Sequence, residues 1–543
     1  MLDLNRRVIR PCFRPRLFPS WPLCSAWLVL LALAVTGPAG AGANAACVGE
    51  DQVGGDGGQG VRRIGHTVQL LVDDTLIHRR QGVVRRVQPA TKMDRPVLAP
   101  ERPWEFSYRG ESGDPGIGKR IYVYGTAFYD PLQKQYRMWY MSRMSYGHKH
   151  KIPELNLPGG KNGHWDLTLY AESKDGIEWR RPDLGLVHFD GSGKNNIMLD
   201  FHGASVILDQ EEPDPNKRYT AIGFLNRLNA IRMCHSPDGI HWSKLQPAGD
   251  RRNEGAFNVC YVPHLDCYVA GSIERSRDPR RVYKDFRGRQ RGKRVAVALR
   301  TEGKDLTRWE GKHFIYPDDK DDPNTQFYGM TPFVRGGLIL GFLHVFHYGG
   351  PGPGNDDGPI DVQLAYSRDG RTWHRLEDRR PVIPVGPKGS FDSGMIQMTA
   401  NGAFMHDDEF IVYYTAANTT HGALVKDKNF TIARASWPRD RLVALQAKDK
   451  AGTIETRPFK LEGRRLEVNV DAEDGWLQVE ILDEAGKAIP GFSGKDAPEY
   501  EAVDNLRFKP AWKNHKDLSV LSGKVVRVRF RLRGARLYAF QIQ

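Results

Sequence analysis

Residues 329–373, GMTPFVRGGLILGFLHVFHYGGPGPGNDDGPIDVQLAYSRDGRTW, contain the pattern that decides the fold. An apolar run ends at the turn 335–337, and a second apolar run, 338–346, leads into a loop rich in Gly, Pro and Asp. A third run, 360–366, alternates apolar and polar residues, and a fourth begins at Trp373. Short runs with a period of two residues, separated by Gly-Gly and Asp-Gly turns, predict an antiparallel meander. Four such strands make one blade of a β-propeller.

The same unit recurs along the chain. Its first strand opens at Gly125, Gly203, Gly255, Gly329 and Gly394, which gives an average period of about 67 residues. A Ser-x-Asp-Gly turn precedes the fourth strand at Ser173, Ser236 and Ser367, with a Trp three residues after each Gly. Repeats at a regular period are typical of architectures in which neighbouring copies pack on one another. We therefore predict an all-β protein with a five-bladed β-propeller over residues 67–450, in which residues 442–446 are the last strand of the fifth blade.

The two ends of the chain differ from the repeats. Residues 451–543 contain alternating strands such as KVVRVRFRL and predict a small C-terminal β-sandwich. Residues 1–46 combine five arginines with the apolar run WLVLLALAV and a small-residue cleavage site, which predicts a signal peptide. We therefore expect a secreted or periplasmic protein with no stable membrane span after cleavage; an uncleaved anchor is the alternative. Residues 47–66 are predicted to form a Gly-rich linker.

The net charge and the cysteine content limit the classes of ligand, metal and cofactor that we expect this protein to bind. The formal net charge is +14, and about +10 after removal of the signal peptide. This balance favours a polyanion such as an acidic glycan. No nucleic-acid-binding motif occurs, and secretion argues against a nucleic-acid partner. The four cysteines after residue 46 match neither a disulfide framework nor a zinc site, so we expect no metal and no cofactor.

Loop lengths distinguish the two faces of the predicted propeller. The loops between second and third strands are long at 142–165, 274–294 and 347–359, whereas the first-to-second-strand turns are short. Function usually lies in long loops on a rigid scaffold. Residues just before the first strands, or at the ends of the second strands, should ring a channel mouth on that face. The candidate substrate-binding residues there are Tyr124, His202, Gln326, Tyr328 and His347.

Carboxylates near the same rim suggest hydrolysis of glycosidic bonds. That reaction needs one carboxylic acid to protonate the leaving oxygen and one carboxylate to act as base or nucleophile. The candidate catalytic residues are Glu254, Asp392, Glu274 and Glu105. Structural roles are the alternatives: a rim ion pair for Glu254 and backbone hydrogen bonding for Asp392.

The chain also resembles the five-bladed propeller glycosidases, a group that includes invertases, levansucrases and arabinanases, and in particular secreted bacterial glycosyl-hydrolase-like propellers. The resemblance is carried by QFYGM at 326–330, FDSGM at 391–395 and RLYAFQ at 536–541. It implies a glycoside hydrolase acting on a poly- or oligosaccharide. By position, it implies a blade-three acid at Glu254 or Glu274.

Two departures from that group concern the catalytic residues. The first predicted blade opens with Tyr124-Gly125-Thr126 and lacks the acid of the Asn-Asp-Pro-Asn-Gly motif, and no Glu-Cys pair occurs. The usual catalytic triad therefore cannot be transferred by motif. A non-catalytic carbohydrate-binding propeller and a purely structural or protein-binding propeller are the alternative functions.

A basic loop bears on the charge of the substrate. Residues 275–294, RSRDPRRVYKDFRGRQRGKR, contain ten Lys or Arg against two Asp, a local charge of +8. Loop lengths place this segment on the rim of the mouth. Arg side chains match carboxylate and sulfate oxygens in pairs, which predicts an anionic glycan, uronic or sulfated. A solvated loop, or a patch resting on an anionic cell surface, is the alternative.

Overall fold

A computed structural model describes residues 61–108, 117–145, 152–155, 164–249 and 257–543. Within these ranges every regular element is a β-strand or a short 3-10 helix, which confirms the prediction of an all-β protein. The 3-10 helices are Pro103–Glu105, Pro153–Leu155, Pro215–Lys217, Pro263–Leu265, Val425–Asp427, Gly494–Asp496 and Ser519–Leu521. No helix in this part of the chain is long and apolar enough to cross a membrane. The predicted signal peptide lies outside the described residues.

Most strands form antiparallel meanders that follow one another along the chain. Meander 1 contains Ile117–Asp130, Gln135–Ser145, His164–Ser173 and Trp179–Arg180, and meander 2 contains His202–Leu208, Tyr219–Leu225, Ala230–Ser236 and Gln246–Pro247. Meander 3 contains Asn258–Val262, Cys267–Arg275, Arg294–Arg300 and His313–Ile315, and meander 4 contains Thr325–Arg335, Leu338–His347, Ile360–Ser367 and His374–Arg375. Meander 5 contains a first strand in two parts, Met395–Thr399 and Phe404–His406, which both pair with the second strand, Glu409–Ala417, and a third strand, Asn429–Pro438.

The stretch 329–373 folds as its residue pattern predicts. Arg335 pairs with Leu338 across a two-residue turn, and the two turn residues, Gly336 and Gly337, have φ angles of +60° and +70°. A turn with both central residues in the left-handed region matches the twist of a hairpin, and glycine adopts that conformation without steric cost. The apolar run after the turn becomes the second strand, which is almost wholly buried.

The repeated Ser-x-Asp-Gly sequence forms one type of turn. In the first copy, Asp175 Oδ1 accepts hydrogen bonds from the backbone N–H groups of Ile177 and Glu178, each at 2.9 Å. Ser173 Oγ accepts from the N–H of Gly176 at 2.9 Å, and this glycine has a φ of +74°. The copies at Ser236 and Ser367 make the corresponding bonds. The motif is therefore a means of ending the third strand, because it satisfies turn donors locally.

The first strands of the meanders contact one another in chain order and close into a ring. The last of them, Met395–Thr399, returns to contact Ile117–Asp130 of meander 1. Facing surfaces of neighbouring meanders bury large side chains; between meanders 1 and 2, for example, Trp139 and Tyr170 pack with Tyr219. Burial of such aromatic side chains supplies much of the packing energy between repeated units.

The side chain of Arg137 crosses from meander 1 to meander 2 and is only 1% exposed. Its Nη1 donates to Asp130 Oδ2 at 2.9 Å, and its Nη2 donates to the backbone oxygen of Asp238 at 2.6 Å. Its guanidinium carbon lies 4.8 Å from the ring centroid of Trp139. The buried cation therefore connects a carboxylate of one meander to the Ser-x-Asp-Gly turn of the next.

The fourth strand of meander 5 comes from the N-terminal part of the chain. Thr91–Lys92 pairs antiparallel with Ser436 and Ala435 of the third strand. The prediction that residues 442–446 form this strand is wrong. Val443–Ala447 instead pairs with Val84–Val87 and with Ala535–Ile542 in a separate sheet. Thr91–Lys92, which precedes meander 1 in the chain, thus occupies the edge position predicted for residues 442–446.

Strands from both ends of the described part of the chain form that separate sheet. Its members are Arg62–Arg63, Gln69–Leu70, Ile77–Gln81, Val84–Val87, Val443–Ala447, Gly452–Thr456, Phe459–Lys460, Leu466–Asp483, Glu499–Phe508, Val525–Arg533 and Ala535–Ile542. Alternate side chains of Val525–Arg533 point into a hydrophobic core, and the arginines between them face outward. The N-terminal strands belong to the sheet of the C-terminal region, a pairing that local sequence patterns do not indicate.

Candidate functional site

An ion pair lies where the second and third strands of meander 1 meet the loop-rich face. Arg143 and Asp166 are register partners on these strands. Arg143 Nε donates to Asp166 Oδ1 at 2.8 Å, and Asn226 of meander 2 donates to Oδ2. His202, the first residue of its strand, places Nδ1 2.9 Å from the same Oδ2. We call this end of the ring of first strands, where those strands begin, the mouth.

The environment of Asp166 keeps its carboxylate ionised. Its side chain is 2% exposed. Burial alone would raise the pKa of Asp166, but the positive charge of Arg143 and the contacts with His202 outweigh it and hold this pKa well below its usual range. Asp166 therefore remains a carboxylate throughout the physiological pH range.

Nδ1 of His202 faces both a hydrogen-bond donor and a hydrogen-bond acceptor. Nδ1 lies 2.9 Å from Asp166 Oδ2 and 3.0 Å from Nη2 of Arg143. A guanidinium N–H only donates and a carboxylate only accepts. Nδ1 therefore accepts from Arg143 when it carries no proton and donates to Asp166 when it carries one. The ring nitrogen is thus matched to its surroundings in both forms.

A second buried carboxylate lies beside the strand that carries Asp166. Leu199 pairs with Thr168 on that strand, and Asp200 follows immediately. The Asp200 side chain is 5% exposed, and Arg227 Nε donates to its Oδ2 at 2.6 Å. Burial raises the pKa of Asp200 above its usual value, the ion pair with Arg227 opposes the rise, and the negative charge of Asp166 adds to it.

Aromatic side chains adjoin these carboxylates. The ring of Tyr124 lies 5.5 Å from the ring of His202 and 5.3 Å from that of Tyr122. Tyr328 of meander 4 packs against the same hydrophobic cluster, which also contains Phe346. Burial raises the pKa of Tyr124 well above its usual value, so this phenol stays neutral. Aromatic rings with polar ends suit the alternating C–H and hydroxyl surfaces of a sugar.

Tyr328 is held by a buried histidine whose tautomer the geometry fixes. His421 Nδ1 lies 2.8 Å from the backbone oxygen of Asp356, and Nε2 lies 2.9 Å from the Tyr328 hydroxyl. A carbonyl only accepts, so Nδ1 carries the proton and the Tyr328 hydroxyl donates to Nε2. Burial, together with the charges of Arg294 and Lys428, lowers the pKa of His421 to about 3. The Tyr328 oxygen can therefore still accept a hydrogen bond from a ligand.

Glu105, a predicted catalytic residue, lies in a fully buried structural network. Oε1 accepts from the Tyr140 hydroxyl at 2.6 Å and from Arg181 Nε at 2.9 Å. Oε2 accepts from the backbone N–H groups of Glu101 and Arg102 at 2.7 and 3.0 Å. The side chain is 0% exposed. A carboxylate saturated in this way anchors the chain before meander 1 rather than facing a substrate.

Asp392 lies at the outer edge of meander 5, beside the closing strand. Its Oδ2 accepts from Lys92 Nζ at 2.7 Å and from the Tyr414 hydroxyl at 3.1 Å. Its Oδ1 accepts from Ser390 Oγ at 2.8 Å, and the side chain is 4% exposed. The structure does not bring Asp392 together with Asp166 and His202.

We expect Asp392→Asn to lower stability and to leave the chemistry of the mouth unchanged. The substitution leaves Lys92 in a largely buried position without a counter-charge, and breaking a buried pair in this way costs about 3–5 kcal/mol. Unfolding in denaturant should show the loss. Asp266→Asn is the matched control, because Asp266 and its partner Lys304 are 71% and 53% exposed and an exposed ion pair contributes about 0–1 kcal/mol. Equal stability of the two variants would contradict a structural role for Asp392.

Two further predicted residues, Gln326 and Glu274, have partners within the protein. Gln326 is 0% exposed, and its Oε1 accepts from the backbone N–H of Arg294 at 3.0 Å, so it supports the strand beneath Tyr328. Glu274 forms an ion pair with Lys312 and is 20% exposed. Glu274 is therefore accessible but neutralised by a neighbouring cation.

Of the last two predicted residues, His347 lies within the described part of the chain and makes an ion pair. His347 Nε2 lies 2.8 Å from Asp361 Oδ2, and the His347 side chain is 40% exposed. Hydrogen bonding to Asp361 raises the pKa of His347. His347 thus offers a solvent-facing imidazole at the rim. Glu254 lies outside the described residues, and its catalytic role stays a prediction.

The basic loop forms a small hairpin with internal ion pairs. Strands Val282–Lys284 and Gln290–Gly292 pair with each other. Arg289 lies 2.8 Å and Arg291 3.9 Å from Asp285, which is buried. Arg287 is exposed and lies 5.1 Å from the ring of Phe286. Part of the positive charge is therefore neutralised within the hairpin, and part faces solvent.

The sequence predictions for the mouth missed Asp166 and Asp200 as candidate catalytic residues. Asp166 directly follows the long loop 142–165 and occupies the third position of His164–Ser173. An acid at the start of a third strand, directly after a long loop, is the signal that could have identified it. Asp200 has a comparable signal, since it lies two residues before the first strand of meander 2.

Comparisons with known proteins extend only to general architecture. No family model and no curated protein matches the chain. A β-1,2-mannobiose phosphorylase from Listeria innocua aligns at a TM-score of 0.38 and 12% identity, over 67% of this chain and 99% of the other. A thermostable family-43 glycoside hydrolase aligns at 0.37 and 14%, over 63% and 96%. An α-L-arabinofuranosidase from Podospora anserina aligns at 0.34 and 8%, over 64% and 99%. The chain is thus similar to structures of glycoside hydrolases and of a mannobiose phosphorylase.

Proposed function

We propose that this protein is a secreted glycoside hydrolase that cleaves O-glycosyl bonds of a poly- or oligosaccharide at the mouth. The observation that carries this proposal is the pair of neighbouring buried carboxylates, Asp166 and Asp200, whose pKa values shift in opposite directions. Two acids in contrasting environments can divide the roles of proton donor and ionised carboxylate.

The proposal includes the finer architecture expected from the sequence. The closed ring of first strands supports a five-bladed propeller, with one blade for each meander. The separate sheet with its own hydrophobic core supports a β-sandwich over residues 451–543, joined by strands from residues 62–87. Secretion rests on the signal-like sequence of residues 1–46.

Each residue of the mouth has a proposed task. Asp200, protonated, donates its proton to the leaving glycosidic oxygen as the bond from that oxygen to the anomeric carbon breaks. Water then bonds to the anomeric carbon and releases a proton to solvent, from which Asp200 is reprotonated. Asp166, ionised, stabilises the positive charge that develops on the sugar ring. Arg143 and His202 hold Asp166 in place, while Tyr124 supports the apolar face of the sugar.

Asp200→Asn should separate proton donation from the rest of catalysis. Hydrolysis of an unactivated glycan should fall about 10²–10⁴-fold, the usual contribution of a general acid. Aryl glycosides with acidic phenol leaving groups need no proton donor, so their hydrolysis should stay close to wild type. In the wild type, kcat/KM should decline as pH rises through the raised pKa of Asp200, because only the protonated form donates.

The same variant provides the pH control. On unactivated glycans, the residual activity of Asp200→Asn should lack the alkaline decline that the wild type shows, whereas aryl glycosides should show no such decline with either protein. An alkaline limb that persists unchanged in the variant would assign the proton donor to another group, and the exposed imidazole of His347 would be tested next.

The proposal as a whole is tested by incubating the purified protein with a panel of neutral, uronic and sulfated glycans. Release of new reducing ends from at least one of them is the expected result. Binding of a glycan without release of new reducing ends would instead support the second candidate function, a non-catalytic carbohydrate-binding protein.

We also propose that the substrate is anionic, because the hairpin 282–292 leaves arginines exposed at the rim. Binding of uronic or sulfated oligosaccharides should weaken as salt rises from 0.1 M to 1 M, since the screening length falls from about 10 Å to about 3 Å. Replacement of Arg287, Arg289 and Arg291 by Ser should weaken this binding again, as measured by calorimetry.

A charge-matched variant controls for the loss of net charge. Lys448, Lys450 and Lys487 are exposed residues of the C-terminal region, and their replacement by Ser removes the same charge away from the hairpin. Equal weakening by both triple variants, or equal affinity for neutral oligosaccharides, would contradict a specific role for the hairpin.

A non-catalytic carbohydrate-binding protein is the second candidate function, and one observation favours it. The carboxylate of Asp166 is already bonded by Arg143, His202 and Asn226. A saturated carboxylate can hold a binding surface in shape without taking part in a reaction.

A further inference from the structure

Two aromatic side chains at the end of the outermost strand of meander 3 are exposed to solvent: Phe314 lies on His313–Ile315, and Tyr316 directly follows this strand. Phe314 and Tyr316 retain 42% and 39% of their surface, although both are large and apolar. Their ring centroids are 5.8 Å apart, and the ring planes differ by 22°. Ile315 between them is buried against meander 4, so the two rings share the opposite, outer surface. Adjacent exposed rings make a contiguous apolar patch, and such patches mark binding sites.

A cavity of about 250 Å³ opens next to these rings. Val295 and Thr325 line it, which places the cavity at the seam between meanders 3 and 4. Arg281 also lines the cavity, and its guanidinium carbon lies 4.7 Å from the ring centroid of Tyr316. The cavity and the aromatic patch therefore meet at one guanidinium group. Neither Asp166 nor any other residue proposed for catalysis lines this cavity.

The charges in the cavity suit an uncharged ligand with many hydroxyl groups. Arg281 and Lys293 supply donors, and each is also anchored to a backbone carbonyl. Asp318, Asp319 and Asp322 supply acceptors, and Asp318 is also paired with Arg379, so the other two carboxylates balance the two cations. Burial and the charge of Arg281 lower the pKa of Lys293 from its usual value. The cavity therefore offers little net positive charge to a carboxylate or sulfate ligand.

We propose that the cavity and the rings of Phe314 and Tyr316 form a second carbohydrate-binding site that takes one ring of an uncharged sugar. A sugar hydroxyl both donates and accepts hydrogen bonds, so it can use cations and carboxylates in the same cavity. The apolar C–H face of a sugar can cover the exposed aromatic rings. The volume lies just below the 300 Å³ or so at which pockets for larger ligands begin, which fits a single sugar ring.

The site is tested by binding of the full-length mature protein to an array of neutral and uronic oligosaccharides, followed by calorimetry on the best neutral ligand. The double substitution Phe314→Ala and Tyr316→Ala should weaken neutral binding about tenfold, which corresponds to about 1.4 kcal/mol. Asp319→Asn should also weaken the binding of the neutral ligand, because Asp319 lines the cavity. Binding is measured without hydrolysis, so the result stands whether or not the mouth is catalytic.

Leu228→Ala is the matched control, because Leu228 is 46% exposed and lies in meander 2 away from the cavity. It should leave binding unchanged, and thermal melting should show that all variants fold. The proposal is overturned if no neutral oligosaccharide binds the wild type, or if binding is the same in the double variant. Stronger binding of uronic than of neutral ligands through Phe314 and Tyr316 would overturn it as well.

Discussion

Asp166→Asn should reduce kcat/KM for glycan hydrolysis about 10²–10³-fold, the usual cost of losing one electrostatic stabiliser, on activated and unactivated substrates alike. The amide keeps the shape of the side chain but removes the negative charge that the positively charged sugar ring needs. This behaviour contrasts with that of Asp200→Asn, which activated substrates should rescue. Initial rates of reducing-end and phenol release measure both effects.

The loss of a buried ion pair must be separated from the loss of catalysis, and Asp440→Asn provides that control. Asp440 is 5% exposed and receives two hydrogen bonds from Arg335, at 2.6 and 2.8 Å. Arg335 ends the first strand of meander 4, at the opposite end from the mouth. Asp440→Asn should therefore reduce stability to a similar degree as Asp166→Asn and retain activity. Full activity of Asp166→Asn would remove this residue from the mechanism.

Arg137→Met should lower the free energy of unfolding by about 3–5 kcal/mol, the usual cost of breaking a buried ion pair. The methionine fills part of the space but leaves Asp130 buried without its cation, and it ends the bond to the turn at Asp238. A loss of this size is a large part of the roughly 5–15 kcal/mol that stabilises a protein domain. Equilibrium denaturation with urea measures it.

Arg95→Met is the comparison for the stability experiment. Arg95 pairs with Glu178 at 2.6 Å, but the two side chains are 57% and 71% exposed. The pair is solvated in both folded and unfolded chains, so its loss should have little effect. If Arg137→Met proved as mild as Arg95→Met, the packing between meanders 1 and 2 would not depend on the buried cation.

The strand pattern could be predicted wherever the signal was local. Gly336 and Gly337 between two apolar runs specify a tight hairpin, because both the turn and the alternation are encoded in adjacent residues. The strand Thr91–Lys92 could not be predicted, since two residues carry no periodicity and their partners lie more than three hundred residues away. Residues 442–446 were the nearest apolar run, and proximity in sequence misled the prediction.

The sequence predicted where the candidate site lies better than it predicted which residues carry out the reaction there. Tyr124, His202 and Tyr328 followed from their places at the beginning of the first strands, and the structure places Tyr124 beside His202. The roles of Asp166 and Asp200 depend on burial and on which cation approaches each carboxylate. Such contacts join distant parts of the chain, so residue type and spacing alone cannot rank one acid above another.

The closing strand also constrains how the chain can be made. The pairing of Thr91–Lys92 with residues 435–436 requires an early segment to wait, unpaired, until nearly four-fifths of the chain has left the ribosome. Contacts so distant in sequence are slow to form, because the entropy of closing the long loop must be overcome before they give any stability. Until then, Asn429–Pro438 presents an open edge to other chains. Recombinant fragments that begin after residue 92 keep this edge open and are therefore expected to aggregate, and slow synthesis with chaperones present should favour the intact protein.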